Sequence, residues 1–202
     1  MEINHDCANK NTHHNHGGKR RGPSSYWMQD ASQVFDPLSL KPGSSFLDLG
    51  CGSGDFSIHA AQLIGDTGIV YALDRSELFF NEIKQEIAEK RLTNIKTMVA
   101  DITLPLNLKD KSVDVCMVSN VLHTIRNPED QTFVFREIAR ILKPTGQLAV
   151  IECKAEESPT GPPLHMRLSE SKIEHRAVPC GLRVKKHFDL GKNYMILFSL
   201  KS

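Results

Sequence analysis

Apolar and polar positions alternate in blocks along most of this chain. Five short apolar runs predict strands, at 45–49, 69–73, 95–99, 113–118 and 147–151. Helix-patterned stretches lie between them, at 56–64, 77–90 and 128–142. Continuous apolar strands that alternate with amphipathic helices indicate a parallel sheet covered on both faces. The sequence therefore predicts a doubly wound α/β domain.

The C-terminal part departs from this rhythm. After a proline-rich connection, residues 168–177 predict a short helix that begins near Ser169. Two β-like runs follow at 182–188 and 194–200, joined only by residues 189–193. Because parallel strands need a crossover of about a dozen residues, these two runs must pair antiparallel. We therefore expect a seven-stranded sheet, mostly parallel, that ends in an antiparallel hairpin.

The N-terminal residues 1–25 are polar, rich in His, Asn and Gly, and have no hydrophobic period, so we expect a flexible tail there. Residues 26–202 then form the single folded domain. The tail carries types of residue that bind metals, but their spacing matches no standard site, and we predict no metal site: His5, Cys7, His13, His14 and His16.

Composition narrows the classes of function. The 202 residues include 25 basic and 24 acidic ones, a net charge of +1, which calls for neither nucleic acid nor an anionic membrane as partner. Five scattered cysteines suit a reducing compartment, and no apolar stretch approaches the roughly 18–20 residues of a membrane span. We expect a cytoplasmic protein; its oligomeric state stays open.

A glycine-rich turn, GCGSGD, follows the first predicted strand and opens a helix. Such a turn presents backbone N–H groups and a helix N-terminus to a ligand. Its spacing does not fit the GxGxxG dinucleotide fingerprint, because Asp55 stands where the last glycine should be. With Asp48 and Asp55 beside the turn, the site suits a cationic or neutral nucleoside.

Five motifs in order resemble those of the class I S-adenosylmethionine-dependent methyltransferases. They are LDLGCGSG at 47–54, VYALD at 70–74, AD at 100–101, VSNVLH at 118–123 and RILKPTGQL at 140–148. The resemblance implies a Rossmann-like fold, S-adenosyl-L-methionine as cofactor and methyl transfer as activity. It also implies that Cys51 is a spacer in the first motif rather than a nucleophile. The segment KAEESPTGPP and the ending DLGKNYMILFSLK are similar to the small-molecule branch related to quinone-biosynthesis and arsenite methyltransferases.

Acidic residues at the strand ends are the expected selectivity elements. Asp74 lies 20 residues beyond Gly54 (74 − 54 = 20), where a doubly wound fold offers a carboxylate to ribose hydroxyls. The resemblance implies that Asp101 accepts from the adenine amino group and that Ile102 lies against the ring. The other predicted cofactor-binding residues include two that border the methionine part, Gly50 and Asn120, with Asp48, Gly52, Gly54 and Arg75.

Two residues are predicted to be catalytic. His123 follows the fourth strand and is the preferred general base, because its unperturbed pKa is near neutrality. Glu152 follows the fifth strand and either orients the acceptor or merely pairs with Lys154. Tyr26 and Trp27 are candidates to close the pocket.

The acceptor stays open between alternatives. Arsenite methylation needs several thiolates, and only Cys7, Cys153 and Cys180 qualify. Quinone methylation needs a long apolar slot that no sequence feature establishes. A protein that senses the cofactor or a metal on the same fold, without turnover, is the competing hypothesis.

Overall fold

The sheet and its helices are seen in a computed structural model that describes residues 24–201. The strands are β1 Ser45–Leu49, β2 Ile69–Asp74, β3 Ile95–Val99, β4 Val113–Ser119, β5 Leu142–Cys153, β6 Leu182–Leu190 and β7 Asn193–Leu200. The α-helices are α1 Ala31–Phe35, α2 Asp55–Ile64, α3 Phe80–Glu89, α4 Pro128–Ile141 and α5 Glu170–Ala177.

The seven strands form one sheet in the order β3-β2-β1-β4-β5-β7-β6. The strands β1 to β5 pair in parallel, whereas β7 runs antiparallel to both β5 and β6. This arrangement confirms the predicted fold, including the antiparallel hairpin. In a sheet of this kind, ligands bind at the carboxyl ends of the parallel strands, beside the point where the strand order reverses. Here that point lies between β1 and β4.

Alternate side chains of the strands fill two apolar layers. Along β1, Phe46 packs with Phe35 of α1 and Ala60 of α2, whereas Leu47 belongs to the opposite layer with Phe135 of α4. All five residues are nearly inaccessible to water. Burying strands on both sides explains why they have continuous apolar runs in the sequence. The helices α1, α2 and α3 cover one face, and α4 and α5 cover the other.

Several strand boundaries differ from those predicted, most of all at the start of β5 and at the hairpin. β5 begins at Leu142 instead of 147, because Leu142 already pairs with Val113 before an irregularity in the register. The hairpin turn is also shorter, since Leu190 pairs with Asn193 and leaves only Gly191 and Lys192 between the strands. Gly191 has a φ of +80°, which a two-residue turn of this type requires and glycine adopts without strain.

Residues 24–44, which precede the sheet, are only partly helical. A 3-10 turn at Ser25–Met28 precedes the short helix α1, whose start is capped by the Asp30 carboxylate. Most of the predicted tail, including its histidines and Cys7, lies outside the described residues. Within residues 24–201, no helix is both long and apolar enough to cross a membrane.

Candidate active site

Three glycines with positive φ form the turn between β1 and α2. A Cβ added to Gly50 would lie 2.4 Å from the side chain of Val121, and one added to Gly54 would lie 2.6 Å from Ile83. At Gly52 the same Cβ would meet no atom within 4 Å. The outer glycines therefore allow close packing of the turn, while the middle one lies beside open space at the ligand-binding end of the sheet.

Asp74 ends β2 and is tied to the glycine turn. Its Oδ2 accepts a hydrogen bond from the Gly52 N–H at 3.0 Å, and its Oδ1 accepts one from the Ser76 N–H at 2.9 Å. The N–H groups of Gly50 and Cys51 both donate to the carbonyl of Leu73 in the same strand. These bonds fix the carboxylate, and each of its oxygens keeps acceptor capacity for a ligand hydroxyl.

Asp101 follows β3 and is exposed. Its Oδ1 accepts from the Thr103 N–H at 2.9 Å and from the Thr103 hydroxyl at 2.7 Å. These two hydrogen bonds, with a smaller contribution from the exposed Arg75, lower the pKa of the Asp101 carboxyl. Ile102 beside it is 9% exposed. The end of β3 thus offers an ionised acceptor next to an apolar side chain.

Asp48 lies beneath the glycine turn and is 1% exposed. The Ser57 hydroxyl donates to its Oδ2 at 2.6 Å. Burial, reinforced by the charge of Asp74, raises the pKa of Asp48 to about 7. Burial and the same two acids also raise the pKa of the Cys51 thiol, so this thiol is neutral near pH 7. An inert Cys51 agrees with its interpretation as a spacer.

Asn120 directly follows β4, and its backbone lies in the left-handed region with a φ of +53°. Its N–H donates to the carbonyl of Ile151 at 2.8 Å, and its Oδ1 accepts from the Cys153 thiol at 3.3 Å. The Nδ2 atom is buried without a hydrogen-bond partner. Asn120 therefore presents an unpaired donor at the point where the strand order reverses.

The set of groups at β1 to β4 suits S-adenosylmethionine. The open space beside Gly52 leaves room for a ligand against the backbone, and the fixed carboxylate of Asp74 matches two ribose hydroxyls. Asp101 supplies an acceptor for an amino group, and the Nδ2 of Asn120 supplies a donor for a carboxylate. Acidic groups outnumber basic ones here, which favours a cationic ligand over a phosphate-bearing one.

His123 and Glu152 form a hydrogen-bonded pair across the ends of β4 and β5. The Nδ1 of His123 lies 2.7 Å from Oε2 of Glu152, and the His123 N–H donates to Oε1 at 3.3 Å. The side chain of Glu152 is 1% exposed and that of His123 is 11% exposed. Lys154, the alternative partner of Glu152, instead forms an ion pair with Asp189 at 2.8 Å.

Residues 24–30, which we call the N-terminal strap, form side-chain hydrogen bonds to the rest of the domain at three places, two in the sheet and one in α2. The Ser25 hydroxyl hydrogen-bonds that of Ser119 at the end of β4, at 2.9 Å. The Tyr26 hydroxyl lies 2.7 Å from Nδ1 of His59 in α2. Trp27, packed edge-on against Tyr26, is 70% exposed. The strap thus lies over the end of β4, on the face occupied by α1 and α2.

Gln29 gives the third contact of the strap. Its Oε1 accepts a hydrogen bond from Nδ2 of Asn193, the first residue of β7, at 3.0 Å. Asn193 is the cross-strand partner of Cys153, so Gln29 lies close to the group that holds Asn120.

The segment after β5 is organised by the buried guanidinium of Arg167. Its N–H groups donate to the backbone carbonyls of four residues, Lys154, Glu156, Thr160 and Pro162. Part of this segment and Arg167 line an open groove of about 530 Å³. Gly161 lies against the thiol of Cys153, where an added Cβ would be 3.3 Å from the sulfur. Arg167 therefore holds the segment over the end of β5.

No metal-binding cluster is present in the described part of the chain: residues 24–201 contain no group of three or more His, Cys, Asp or Glu side chains placed to hold an ion. Of the thiols considered for arsenite, Cys7 lies outside the described residues. Cys153 donates to Asn120, and Cys180 donates to the carbonyls of Thr132 and Arg176.

The fold and the strand-end groups together are those of a class I S-adenosylmethionine-dependent methyltransferase. A family model described as a methyltransferase domain matches residues 40–197, which is more than half of the chain. The chain belongs to this methyltransferase-domain family.

Two of the curated relatives are demethylmenaquinone methyltransferases. A demethylmenaquinone methyltransferase of Bacillus cereus (strain ATCC 10987 / NRS 248) is 29% identical over 126 residues, 62% of this chain and 50% of that protein. The protein of the same name from Listeria monocytogenes serotype 4a (strain HCC23) is 33% identical over 133 residues, 66% of this chain and 53% of that protein. The chain thus spans about half the length of the curated relatives it matches.

Solved structures agree on the fold. A SAM-dependent methyltransferase from Aquifex aeolicus superposes with a TM-score of 0.78 at 27% identity, covering 88% of this chain and 93% of the other. The [4+2]-cyclase SpnF also superposes, with a TM-score of 0.71 at 16% identity and coverages of 85% and 82%. The second likeness concerns the fold alone, and it shows that the fold also occurs in a protein named for another reaction.

Sequence reasoning missed two residues of the sheet edge, Gln29 and Asn193. Gln29 lies in an irregular segment, and Asn193 was assigned to a hairpin loop. Nothing in the local sequence signals that they meet, because 164 residues separate them. The role of Arg167 as the organiser of a loop also has no sequence signal, because it depends on carbonyl directions that no sequence pattern encodes.

Proposed function

We propose that this protein transfers a methyl group from S-adenosyl-L-methionine to a small-molecule acceptor. The observation that carries the proposal is the open space beside Gly52, bordered by the fixed carboxylate of Asp74. Membership of the methyltransferase-domain family and the likeness to the Aquifex aeolicus enzyme support the same cofactor. When bound, that cofactor supplies a methyl group on a positively charged sulfur, already activated for displacement.

The residues of the chain then have to hold the cofactor. In this proposal Asp74 accepts from the ribose hydroxyls, and Asp101 accepts from the adenine amino group beside Ile102. The Nδ2 of Asn120 donates to the methionine carboxylate, with Gly50 next to it. Three more residues act on the shape and charge of the turn and its rim, namely Gly54, Asp48 and Arg75. Asp48 acts from below, because it is buried under the turn.

His123 is the proposed general base and Glu152 its positioning partner. With the Glu152 carboxylate accepting at Nδ1, the lone pair of the neutral imidazole lies at Nε2, which can take a proton from the acceptor. The carboxylate also stabilises the imidazolium that this transfer produces, as the acid of a catalytic triad does. Holding the acceptor in line with the methyl group contributes the remaining part of the rate.

The proposal also covers the chemical class of the acceptor and the cellular compartment. The relatives are named for demethylmenaquinone, so a quinol is the first acceptor to test. The net charge of +1 supports a small molecule rather than a nucleic acid. Four cysteines in the described part of the chain, Cys51, Cys116, Cys153 and Cys180, are free, which is in keeping with the cytoplasm.

Calorimetry followed by turnover tests the proposal. The wild-type protein is titrated with S-adenosylmethionine and with S-adenosylhomocysteine, and then assayed for S-adenosylhomocysteine release with an acceptor panel that includes demethylmenaquinol and arsenite. We expect binding of both nucleosides and turnover with at least one organic acceptor. A folded protein that binds neither nucleoside would refute the cofactor. Binding without turnover on the whole panel would favour the sensor hypothesis.

A further inference from the structure

Buried polar atoms without hydrogen-bond partners cluster at the ligand-binding end of the sheet. Four buried side-chain nitrogen or oxygen atoms in residues 24–201 have no hydrogen-bond partner. Three of them lie in or near the N-terminal strap, where β4 and β5 end and β7 begins: Nε2 of Gln29, Nδ2 of Asn120 and Oδ1 of Asn193. The fourth, Oδ1 of Asn94, lies between α2 and β3. This clustering coincides with the edge where the fold binds ligands.

The amides of Gln29 and Asn193 form a pair that is incomplete in a specific way. Their one mutual hydrogen bond, 3.0 Å long, uses one donor and one acceptor. It leaves Nε2 of Gln29, with both of its N–H groups, and Oδ1 of Asn193 without partners. Turning both amides over exchanges the two roles but again leaves one donor and one acceptor. The pair therefore matches a ligand group that donates and accepts at once.

A purely structural role would use these atoms inside the protein. Asn94 shows that role, because its Nδ2 donates to the carbonyls of Ala61 and Gly65 and so closes the end of α2. Asn193 is more deeply buried, at 1% exposure, yet makes a single side-chain hydrogen bond to another amide. Buried polar atoms without partners destabilise a fold, so a native protein keeps a group of them chiefly where a ligand or a water completes the bonds.

The charges around this edge are already paired. Glu152 is bonded to His123, and Lys154 is paired with Asp189. The guanidinium of Arg167 is satisfied by backbone carbonyls. The polar atoms that still lack a partner therefore belong to uncharged amides, which favours a neutral ligand group over a carboxylate or an ammonium.

We propose that Gln29 and Asn193 form a subsite that binds a neutral hydroxyl group of the methyl acceptor under the N-terminal strap. A hydroxyl donates and accepts through one atom, as the amide pair requires. The inference deepens the proposed function and rests on it. Asn120 is left to the cofactor side, and its bond to Cys153 joins the two regions. Gln29 and Asn193 are then residues that determine specificity.

The first test needs no acceptor. The double variant Gln29→Met/Asn193→Leu replaces the incomplete amides with apolar side chains of similar size. We expect its melting temperature without ligands to rise by at least 2 °C. The control is Asn94→Leu, which removes two hydrogen bonds to carbonyls and is expected to melt several degrees lower. An unchanged or lower melting temperature of the double variant would show that the amide pair serves the fold and would overturn the inference.

The second test measures the ligand group directly. Calorimetry on the complex with S-adenosylhomocysteine compares 1,4-dihydroxynaphthalene with 1,4-dimethoxynaphthalene, and catechol with 1,2-dimethoxybenzene. We expect at least tenfold tighter binding of one free-hydroxyl compound, and loss of that preference in the double variant. Equal affinity within both pairs, or no binding of any compound, would contradict the subsite.

The two proposals fail in different ways. Loss of S-adenosylhomocysteine binding in the wild type would refute the proposed function, whereas the melting comparison of the amide variants would still decide on the subsite. Normal turnover by the double variant with an acceptor that carries a hydroxyl group would refute the subsite and leave the proposed function intact.

Discussion

The ligand-binding end of the sheet, where the parallel strands have their carboxyl ends, has two halves that are built differently. At β1, β2 and β3, backbone N–H groups and short turns hold Asp74 and Asp101, and both carboxylates have their local bonds in place. At β4, β5 and β7, side chains from distant segments meet, and the buried amides of Gln29 and Asn193 each keep one atom without a partner. The first half is thus complete before a ligand arrives, whereas the second half is completed by what binds there. Changes in the two halves should therefore affect different measurements.

Changing the His123–Glu152 pair should have the largest effect, and only on the second half. We expect His123→Asn to lower kcat by about 10²–10⁴-fold, the usual contribution of a general base, with unchanged affinity for S-adenosylhomocysteine. The exposed His175→Asn on α5 is the control and should keep full activity. The assay is turnover with the best acceptor found in the panel. A kcat within threefold of wild type would exclude His123 as the base.

The buried carboxyl of Asp48 should make the free energy of unfolding depend on pH. Its folded pKa of about 7 lies well above the ordinary 3.8, because the carboxyl is buried near Asp74. Between these values the folded chain binds a proton that the unfolded chain releases. The free energy of unfolding therefore falls as pH rises from about 4 to about 7, by at most about 4 kcal/mol.

The variant Asp48→Asn should remove most of this slope while keeping the hydrogen bond from Ser57. Urea unfolding at pH 5, 6, 7 and 8 measures it. Asp101→Asn is the matched control, because the pKa of Asp101 is lowered and its contribution does not change in this range. Parallel slopes for Asp48→Asn and wild type would show that Asp48 is ionised throughout.

These two halves also explain what the sequence could predict. The glycine turn and Asp74 follow their strands at short, fixed spacings, so the fold and the ribose role of Asp74 could be predicted from pattern. The roles of Asp101, Ile102 and Asn120 were predicted only from the family resemblance. The pairing of His123 with Glu152 needed the neighbouring positions of β4 and β5, which the strand order supplies only after folding. The meeting of Gln29 with Asn193 depends on how the strap crosses the sheet, and no periodicity describes that path.

Asp74→Ala should weaken cofactor binding without changing the residues at β4, β5 and β7. A hydrogen bond to a charged group contributes about 1.5–3 kcal/mol, so we expect S-adenosylhomocysteine to bind roughly tenfold to a hundredfold more weakly. Asp66→Ala, an exposed acid before β2, is the control and should bind normally. Calorimetry gives both affinities. Unchanged affinity in Asp74→Ala would refute the ribose role.

Asp101 should give the smallest effect, because its carboxylate is exposed and water competes for the same ligand group. We expect Asp101→Ala to weaken S-adenosylhomocysteine binding only about threefold to tenfold, since exposed charged contacts contribute roughly 0.2–1 kcal/mol and a hydrogen bond adds to this.

A ligand change isolates that contact from any effect on the turn at Thr103. In S-inosylhomocysteine a carbonyl oxygen replaces the adenine amino group, so the proposed donor to Asp101 is lost. If Asp101 accepts from that group, the wild type should prefer S-adenosylhomocysteine, and Asp101→Ala should lose part of this preference. If both proteins show the same preference, the loss in the variant comes from the Asp101–Thr103 turn and not from adenine recognition. The difference between the preference of the wild type and that of Asp101→Ala therefore measures how far the selectivity for adenine depends on Asp101.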